Sequence, residues 1–103
     1  MNVTDNDFEE KVINRSKKEP VVVDFYADWC MPCKMLGPVL EKVAKKNNMA
    51  LVKVNVDEAQ LTADRFDISG IPDVRIFKDG KVSSKIVGMM PEDYLDDWLK
   101  QNK

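Results

Sequence analysis

The chain has 103 residues, of which 44% are hydrophobic and 33% are charged, so it suits one domain with a modest core and leaves no room for a second. The formal net charge is -2, and the 16 Lys and Arg residues are scattered, so the basic patch that nucleic-acid binding requires is missing. No apolar run reaches membrane-spanning length, and the polar, acidic start of the chain lacks the apolar segment of a secretory signal.

These properties set expectations for the protein as a whole. Residues 1–103 are expected to form a single domain, and the protein is expected to be a soluble, cytoplasmic monomer with neither nucleic acid nor membrane as a partner. The chain contains only two cysteines. Because a reducing cytoplasm disfavours structural disulfides, these cysteines are expected to serve chemistry.

The N-terminal part of the chain predicts a helix followed by a strand. One helical face between residues 8 and 13 is apolar, and Thr4 or Asp5 is a candidate N-cap for that helix. Residues 20–27 begin with proline and are apolar and rich in valine, as expected of a central strand that is buried on both faces.

A long helix is predicted to begin at Cys30. Apolar residues recur at helical spacing from residue 35 to residue 43, and the polar run at residues 45–48 ends the pattern. Pro32 is compatible with a first helical turn, because the N–H that it lacks would be unpaired there. Pro38 lies inside the pattern and is expected to kink the helix near its middle.

The remaining segments predict a strand, a short helix, a hairpin and a closing helix. Residues 51–56 have the composition of an interior strand, and residues 58–66 have the pattern of a short helix. Asp79-Gly80 separates two further runs of strand composition, which is typical of a hairpin with a two-residue turn. A last helix is expected to begin at Pro91. Its predicted apolar stripe is Tyr94, Leu95, Trp98 and Leu99.

The order of these elements predicts an α/β protein. Strands that alternate with helices form parallel pairs joined by right-handed crossovers, whereas the two strands of a tight hairpin must be antiparallel. The central β-sheet is therefore expected to be mixed and to be flanked by helices on both faces.

Both cysteines lie in the segment Asp-Trp-Cys-Met-Pro-Cys-Lys at residues 28–34. A structural zinc site usually needs four Cys or His ligands, and the chain has no histidine and no third cysteine, so no metal is expected. A structural disulfide between Cys30 and Cys33 would close so short a loop that it would restrain the unfolded chain very little. The third interpretation is a redox-active dithiol.

The redox interpretation has a mechanism in helix geometry. Cysteines at positions i and i+3 lie on nearly the same helical face, so their sulfurs can approach bonding distance. Cys30 would lie at the helix N-terminus, where unpaired N–H groups and the helix dipole favour the thiolate, which is the attacking species. Cys33 lies one turn further in and is expected to be less reachable. We therefore predict that Cys30 attacks a substrate disulfide and that Cys33 resolves the mixed disulfide.

Residues 21–34, Val-Val-Val-Asp-Phe-Tyr-Ala-Asp-Trp-Cys-Met-Pro-Cys-Lys, resemble the active-site segment of the thioredoxin family. The resemblance continues along the whole chain. It includes residues 51–58, which are similar to the family's central strand, and residues 70–81, which are similar to its Gly-Ile-Pro segment and hairpin. Val87-Gly88 is similar to the loop before the family's last helix.

The resemblance implies a thioredoxin fold in which a cis peptide at Ile71-Pro72 faces the dithiol. It also implies a general protein disulfide reductase that acts on disulfide-containing proteins and needs no bound cofactor. Such a protein is re-reduced by a partner, here expected to be a thioredoxin reductase of unspecified type. The alternative is a binding module that uses the same apolar groove, with the dithiol incidental. Partner binding by such a module would survive replacement of both cysteines.

Two charged residues are candidates for supporting the cysteines. Asp24 interrupts an apolar strand, where burial would raise the pKa of its carboxyl group toward neutrality and let it take the proton of Cys33 during resolution. The resemblance places the family's buried acid at this position, and the alternative is a structural carboxylate satisfied by hydrogen bonds. In the family, a lysine that matches Lys53 lies close to the buried acid. Otherwise Lys53 is an ordinary lysine at the rim of the sheet.

The resemblance also implies a docking surface around the cysteines. By the family pattern Trp29 covers the site and its indole N–H is expected to bond to Asp57, whereas the alternative is a tryptophan in the core. An exposed apolar patch is expected to receive extended substrate segments, with main-chain groups beside Pro72 and Gly88 pairing by strand addition. The residues of the predicted substrate site are Trp29, Met31, Pro32, Ile71, Pro72, Val87, Gly88 and Met89.

Three residues depart from the family pattern. Tyr26 stands where tryptophan is frequent, and Met31 replaces a glycine and adds a flexible apolar side chain to the docking surface. Asp73 follows the proline where threonine is common, and its negative charge is expected to disfavour the thiolate.

The direction of electron transfer follows from the groups near the sulfurs. A dithiol is a strong oxidant when its reduced form is stabilised, commonly by a positive group such as histidine, and this chain has no histidine. Pro32 is expected to keep the first turn rigid, and the positive charge of Lys34 lies after the two cysteines rather than between them. We therefore expect a reductant with a potential nearer the value of about -270 mV known for thioredoxin than the value of about -180 mV known for protein disulfide isomerase.

Overall fold

The computed structural model of the protein describes residues 1–103. The strands are β1 (Val21–Tyr26), β2 (Ala50–Asn55), β3 (Asp73–Lys78) and β4 (Lys81–Val87), and the α-helices are α1 (Met31–Lys46), α2 (Gln60–Arg65) and α3 (Glu92–Gln101). Before β1 lies an N-terminal helical segment, which consists of a π-helical part, Glu9–Asn14, and a 3-10 turn, Arg15–Lys17. None of these helices combines the length and the apolar character that crossing a lipid bilayer requires.

The four strands form one mixed sheet in the order β2-β1-β3-β4. Strand β1 is parallel to β2 and antiparallel to β3, and β3 is antiparallel to β4. The predicted α/β class, with a parallel pair and a late antiparallel hairpin, is therefore confirmed. The start of the chain also joins the sheet, because Asn2 pairs in parallel with Lys53 at the outer edge of β2. No local pattern indicates this pairing, since it depends on where β2 lies in the folded chain.

Alternating side chains of β1 belong to two cores, one on each face of the sheet. Val23 and Phe25 pack with residues of the N-terminal helical segment, whereas Val22 packs with residues of α1 and α3. All three side chains are fully buried, and each contributes roughly 1.5–3 kcal/mol to the free energy of unfolding. Because successive side chains of a strand point to opposite faces, Asp24 points to the same face as Val22, toward α1.

The hairpin between β3 and β4 has the predicted two-residue turn. Asp79 has a φ of 53° and Gly80 a φ of 81°, so both residues adopt the left-handed conformation. Two such residues in succession form a type I′ turn, whose twist matches that of the flanking strands. Glycine is required at the second position, because most other side chains are strained at a positive φ.

The predicted helix caps near the N-terminus are wrong. Phe8 occupies the N-cap position of the N-terminal helical segment, and no side chain forms a capping hydrogen bond there. The carboxylate of Asp5 instead accepts hydrogen bonds from the backbone N–H groups of Leu61 and Thr62 in α2, at 3.3 and 2.8 Å. Asp5 therefore caps a helix that follows it by more than fifty residues, which short-range sequence patterns do not reveal.

Both long helices follow their predicted courses, with one correction. Helix α1 contains Pro32 in its first turn and Pro38 in its interior, and the kink at Pro38 remains a prediction. In α3, Leu95, Trp98 and Leu99 are buried as expected. Tyr94, which the sequence pattern predicts in the same apolar stripe, is instead 52% exposed. The buried stripe of α3 is therefore narrower than the four predicted residues.

Candidate active site

Both cysteines lie at the start of α1, immediately after the turn that follows β1. Cys30 is the N-cap residue, with an extended backbone, and its sulfur accepts a hydrogen bond of 3.3 Å from the backbone N–H of Cys33. The two Cα atoms are 5.3 Å apart, and the sulfurs are joined in a disulfide. The expected pairing on one helical face is confirmed. The hydrogen bond directs one of the unpaired N–H groups of the helix terminus at Cys30 Sγ, where it would favour a thiolate.

The two cysteines differ in their surroundings rather than in their exposure. Cys30 is 5% exposed and Cys33 is 4% exposed, so the predicted difference in reachability is absent from the disulfide form. Cys30 Sγ lies 3.9 Å from the carbonyl oxygen of Ile71, at the edge of the docking surface. Cys33 lines a polar cavity on the other side of the disulfide. The structure therefore places Cys30 next to Ile71 of the predicted docking surface, and Cys33 in a cavity that charged residues such as Glu41 and Lys53 also line.

Asp24 is a buried acid, as predicted. It is 1% exposed, and its Oδ1 atom has no hydrogen-bond partner within the chain. Burial raises the pKa of Asp24 to about 6, because the carboxylate loses its hydration. The positive charge of Lys53 opposes this increase, and the negative charge of Glu41 adds to it. Within the chain, Oδ1 thus lacks the hydrogen bond that the alternative of a structural carboxylate requires.

Lys53 lies close to residues of both β1 and α1. In the register of β1 and β2 it lies opposite Asp24. Its ammonium group is 3.9 Å from Glu41 Oε1 and 4.9 Å from the centre of the Tyr26 ring. It also occupies the space beside Gly37, since a Cβ atom at that position would come within 3.2 Å of Lys53 Nζ. Lys53 is thus more than a lysine at the sheet rim.

The cavity beside Cys33 has a volume of about 280 Å³ and opens to solvent. Its lining combines Cys33 with Lys53 and Glu41. Sequence reasoning missed Glu41 and Gly37, which come from the middle of α1. The only available signal was helical spacing, because Gly37 lies four residues and Glu41 eight residues after Cys33, and such residues recur on a similar side of a helix.

Trp29 covers the site and does not belong to the core. Its side chain is 70% exposed, and its indole N–H donates a hydrogen bond of 2.9 Å to Asp57 Oδ2, as predicted. The loop that carries Asp57 is fixed in turn by Asn55, whose side-chain oxygen accepts the backbone N–H of Asp57 at 2.9 Å. This hydrogen bond orients an otherwise mobile aromatic side chain next to Cys30.

The predicted docking surface is exposed in most of its parts. Trp29, Met31, Pro32, Val87 and Met89 are exposed, and Ile71 and Gly88 are half-buried. Pro72 is buried, so its predicted exposure is wrong: the backbone of Gly88, directly after β4, is hydrogen-bonded to it. The prediction also missed Met35, which is 61% exposed. Met35 follows Met31 by four residues and so extends the same helical face.

The hydrogen bonds of the chain show which main-chain groups beside Pro72 and Gly88 are free. The peptide between Ile71 and Pro72 is cis, as expected. The N–H of Gly88 donates to the carbonyl oxygen of Pro72 at 2.8 Å, so these two groups are already paired within the chain. The N–H and carbonyl groups of Ile71 and the carbonyl group of Gly88 make no backbone–backbone hydrogen bond. These groups are free, and their pairing with a substrate segment stays a prediction.

Asp73 does not present a free negative charge to the sulfurs. It is 2% exposed, and its two carboxylate oxygens accept hydrogen bonds of 2.9 and 3.1 Å from Arg75. The two residues are separated by one position on β3, so they share a face of the sheet, and this face is opposite to that of Asp24. Arg75 compensates the charge of Asp73, so the free negative charge that the prediction assumed is absent, and the effect on the thiolate stays untested by the structure.

Comparison with known proteins agrees with this geometry. A protein-family model described as Thioredoxin matches residues 1–101. Proteins named Thioredoxin are similar to the chain over most of its length. The one from Mycoplasmoides gallisepticum is 45% identical over 92 residues, which cover 88% of this chain and 90% of that protein. The one from Pseudomonas aeruginosa is 40% identical, and the match covers 99% of this chain and 94% of that protein. The one from Rickettsia bellii is 38% identical, and the match covers 98% of this chain and 96% of that protein. The chain therefore belongs to the thioredoxin family, and its Cys30–Cys33 pair is the redox-active centre of a thiol–disulfide oxidoreductase.

Proposed function

We propose that the protein is a general protein disulfide reductase in which Cys30 is the nucleophile and Cys33 the resolving cysteine. The Cys30 thiolate attacks one sulfur of a substrate disulfide, and the other substrate sulfur leaves as a thiolate. Cys33 then attacks Cys30 Sγ, which forms the Cys30–Cys33 disulfide and releases the second substrate thiolate. Two electrons pass to the substrate. The observation that carries this assignment is the hydrogen bond from the Cys33 N–H to Cys30 Sγ at the N-terminus of α1.

Asp24 is proposed as the acceptor of the Cys33 proton during resolution, with Lys53 as its supporting charge. A carboxyl group with a pKa of about 6 is largely ionised at neutral pH, yet holds a proton more readily than an ordinary aspartate. The open cavity lined by Cys33 and Lys53 supports this proposal and is the proposed exit of the proton, because Lys53 lies opposite Asp24 in the register of β1 and β2. Transfer occurs directly or through water in that cavity.

Substrate proteins are proposed to dock on the exposed surface around Trp29, Met31, Val87 and Met89, with Pro32 at its edge. An extended substrate segment would pair with the free N–H and carbonyl groups of Ile71, next to Cys30 Sγ, and with the free carbonyl group of Gly88. Main-chain pairing and flexible methionine side chains both tolerate many sequences, which suits a reductase of broad specificity.

The wider setting is also proposed. Residues 1–103 act as one domain and as a monomer, with protein disulfides as substrates and no nucleic acid, membrane or bound cofactor. The oxidised Cys30–Cys33 pair must be reduced after each cycle, and a thioredoxin reductase is the proposed donor. A cytoplasmic location fits a reductant, because that compartment keeps most thiols reduced.

The order of attack is tested with cysteine variants and a disulfide-containing protein such as insulin. Limiting iodoacetamide should label Cys30 of the reduced protein well before Cys33. Cys33→Ser should accumulate a mixed disulfide with the substrate, whereas Cys30→Ser should accumulate none. Preferential labelling of Cys33, or a stable adduct formed by Cys30→Ser, would overturn the assignment. The double variant Cys30→Ser/Cys33→Ser separates this reductase from a binding module. Only a module would still bind its partner without either thiol.

A further inference from the structure

The proposed mechanism gives no role to either carboxylate that lines the cavity beside Cys33, Asp28 or Glu41, and of these two only Glu41 forms an ion pair with Lys53. Glu41 lies in α1 at the mouth of the cavity that Cys33 lines, and its side chain is 60% exposed. A neighbouring cavity of about 360 Å³ shares Glu41 and Lys53 as lining residues. The Glu41–Lys53 ion pair therefore separates two open cavities and stands at the solvent end of the proposed proton exit.

Lys53 lies between two carboxylates and is closer to the outer one. Asp24 is its direct neighbour across β1 and β2. However, the only ion pair that Lys53 forms within 4.0 Å is with Glu41, and the Tyr26 ring holds the ammonium group from one side. Asp24 Oδ1 meanwhile has no partner. The ammonium group is thus drawn toward the cavity mouth and leaves the buried acid incompletely compensated.

We propose that Glu41 is a positioning residue for the proton transfer of the resolution step: it holds the Lys53 ammonium at the cavity mouth and so determines how strongly Asp24 retains a proton. This inference rests on the proposed role of Asp24 as the acceptor of the Cys33 proton. As Cys33 attacks Cys30 Sγ, its proton passes to Asp24, the bond between Cys30 and the substrate breaks, and the substrate leaves as a thiolate. Asp24 then releases the proton through the cavity.

The expected effect of removing the Glu41 charge has a definite sign. Glu41 raises the pKa of Asp24 by repulsion between like charges, whereas Lys53 lowers it. In Glu41→Gln the repulsion is gone, and Lys53 is free to turn toward Asp24. Both changes lower the pKa of Asp24, so the acid is ionised at lower pH.

The other groups around Asp24 are the same in the variant and in the parent. The remaining titratable residues of the cavity are Tyr26, Asp28, Cys33 and Lys34. The other elements that pack on this face are β3, β4 and α3. They contribute apolar side chains to it, among them Val74, Ile86 and Leu95. A change in the titration of Asp24 in Glu41→Gln would therefore report on Glu41 and Lys53.

The first experiment measures the titration of Asp24 directly, by NMR of isotope-labelled aspartate carboxyl groups in the disulfide form. In Glu41→Gln the midpoint should fall by roughly 0.2 to 0.7 pH unit, the effect of one partly solvent-screened charge. Glu41→Asp, which keeps the charge, should shift it less. Glu92→Gln is the matched control. Like Glu41, Glu92 forms an ion pair with a lysine, here Lys42 of α1 at 3.1 Å, but it does not line the cavity. An unchanged or raised midpoint in Glu41→Gln would overturn the inference.

The second experiment separates this inference from the proposed function. The reduced protein is mixed with dithiobis(nitrobenzoate), and the second phase of thiolate release reports resolution by Cys33. The rate of this second phase is measured as a function of pH. The acid limb of the resulting pH profile should move to lower pH in Glu41→Gln and to higher pH in Lys53→Met. The effect of Glu41→Gln should be smaller when Lys53 is already methionine. If Asp24→Asn removes the limb while Glu41→Gln leaves it in place, the role of Glu41 is refuted and that of Asp24 stands. If Asp24→Asn leaves the profile unchanged, both roles are refuted.

Discussion

At the scale of single residues, Asp24 links the stability of the protein to its chemistry. Its carboxyl group is buried without a partner for Oδ1, and burial raises its pKa from 3.8 to about 6. The same desolvation that makes Asp24 able to hold a proton near neutral pH also makes its ionised form unfavourable in the folded state. A residue that serves proton transfer in this way should therefore reduce the free energy of unfolding.

Replacing Asp24 by Asn should make the protein more stable, and the gain should depend on pH. In the unfolded chain Asp24 ionises near its ordinary pKa of 3.8, and in the folded protein only near 6. The penalty is therefore absent below about pH 4, grows as the pH rises through this window and is complete above about pH 7. At about pH 8 we expect Asp24→Asn to gain roughly 1–3 kcal/mol in the free energy of unfolding.

Urea unfolding of Asp24→Asn and of the parent, at about pH 4 and at about pH 8, measures the difference in the free energy of unfolding. Tryptophan fluorescence follows the transition. Lys53→Met is the opposing variant, since losing the compensating charge should reduce stability at about pH 8 and leave it nearly unchanged at about pH 4. A stability difference between Asp24→Asn and the parent that is independent of pH would show that Asp24 ionises at the same pH in the folded and unfolded protein, which contradicts a pKa raised by burial.

At the scale of secondary structure elements, β3 and α1 each contain a contact whose energetic effect can be isolated. In β3, Asp73 and Arg75 form a buried ion pair on the face opposite to Asp24. In α1, Gly37 lies beside the end of the Lys53 side chain. The ion pair lies at the start of β3, directly after the Ile71-Pro72 peptide. Gly37 and Lys53 both line the cavity beside Cys33.

Breaking the buried pair in β3 should cost more than removing it completely. Arg75→Met leaves the Asp73 carboxylate buried without a counter-charge and should lower the free energy of unfolding by about 3–5 kcal/mol. The double variant Asp73→Asn/Arg75→Met should be less destabilised than Arg75→Met alone. Arg65→Met is the control, because the Arg65–Glu9 pair is exposed and should contribute at most about 1 kcal/mol. A double variant as unstable as the sum of the single variants would contradict this account.

Gly37→Ala should stabilise α1. Alanine lowers the free energy of a helix interior by roughly 0.5–1 kcal/mol relative to glycine, and the new Cβ would meet only the flexible end of Lys53, at 3.2 Å. Gly88→Ala is the contrasting control. It has free space around it, but its φ of 98° strains an alanine, so it should be destabilised. Thermal unfolding of both variants measures these effects, and a lower midpoint for Gly37→Ala would show that Lys53 has no room to move.

At the scale of the whole molecule, features fixed by neighbouring residues could be predicted from the sequence. The turn at Asp79-Gly80, the strand around Asp24 and the helix after Cys30 each follow from local composition or spacing. The dithiol and its tryptophan cover were also found, because a specific motif carries them.

Features that depend on contacts between distant segments were missed. The cap that Asp5 provides for α2, the pairing of Asn2 with β2 and the ion pair of Lys53 with Glu41 all join residues that only the folded chain brings together. The same is true of the burial of Pro72. Asp73 and Arg75 are a different case. They are near neighbours in sequence, but their pairing depends on both side chains being buried on one face of β3.

The central claim is that the Cys30–Cys33 pair donates electrons to protein disulfides. Since Arg75 compensates Asp73, the expectation of a reducing potential now rests on the absence of histidine and on the position of Lys34 after both sulfurs. The most direct test equilibrates the protein with glutathione buffers of known potential and quantifies the dithiol by thiol trapping. With a potential near the thioredoxin value of about -270 mV, the pair should be almost entirely disulfide in a buffer poised at about -180 mV, at a ratio of roughly a thousand to one. A pair that stays largely dithiol in that buffer would contradict the assignment as a reductase and indicate an oxidase or isomerase.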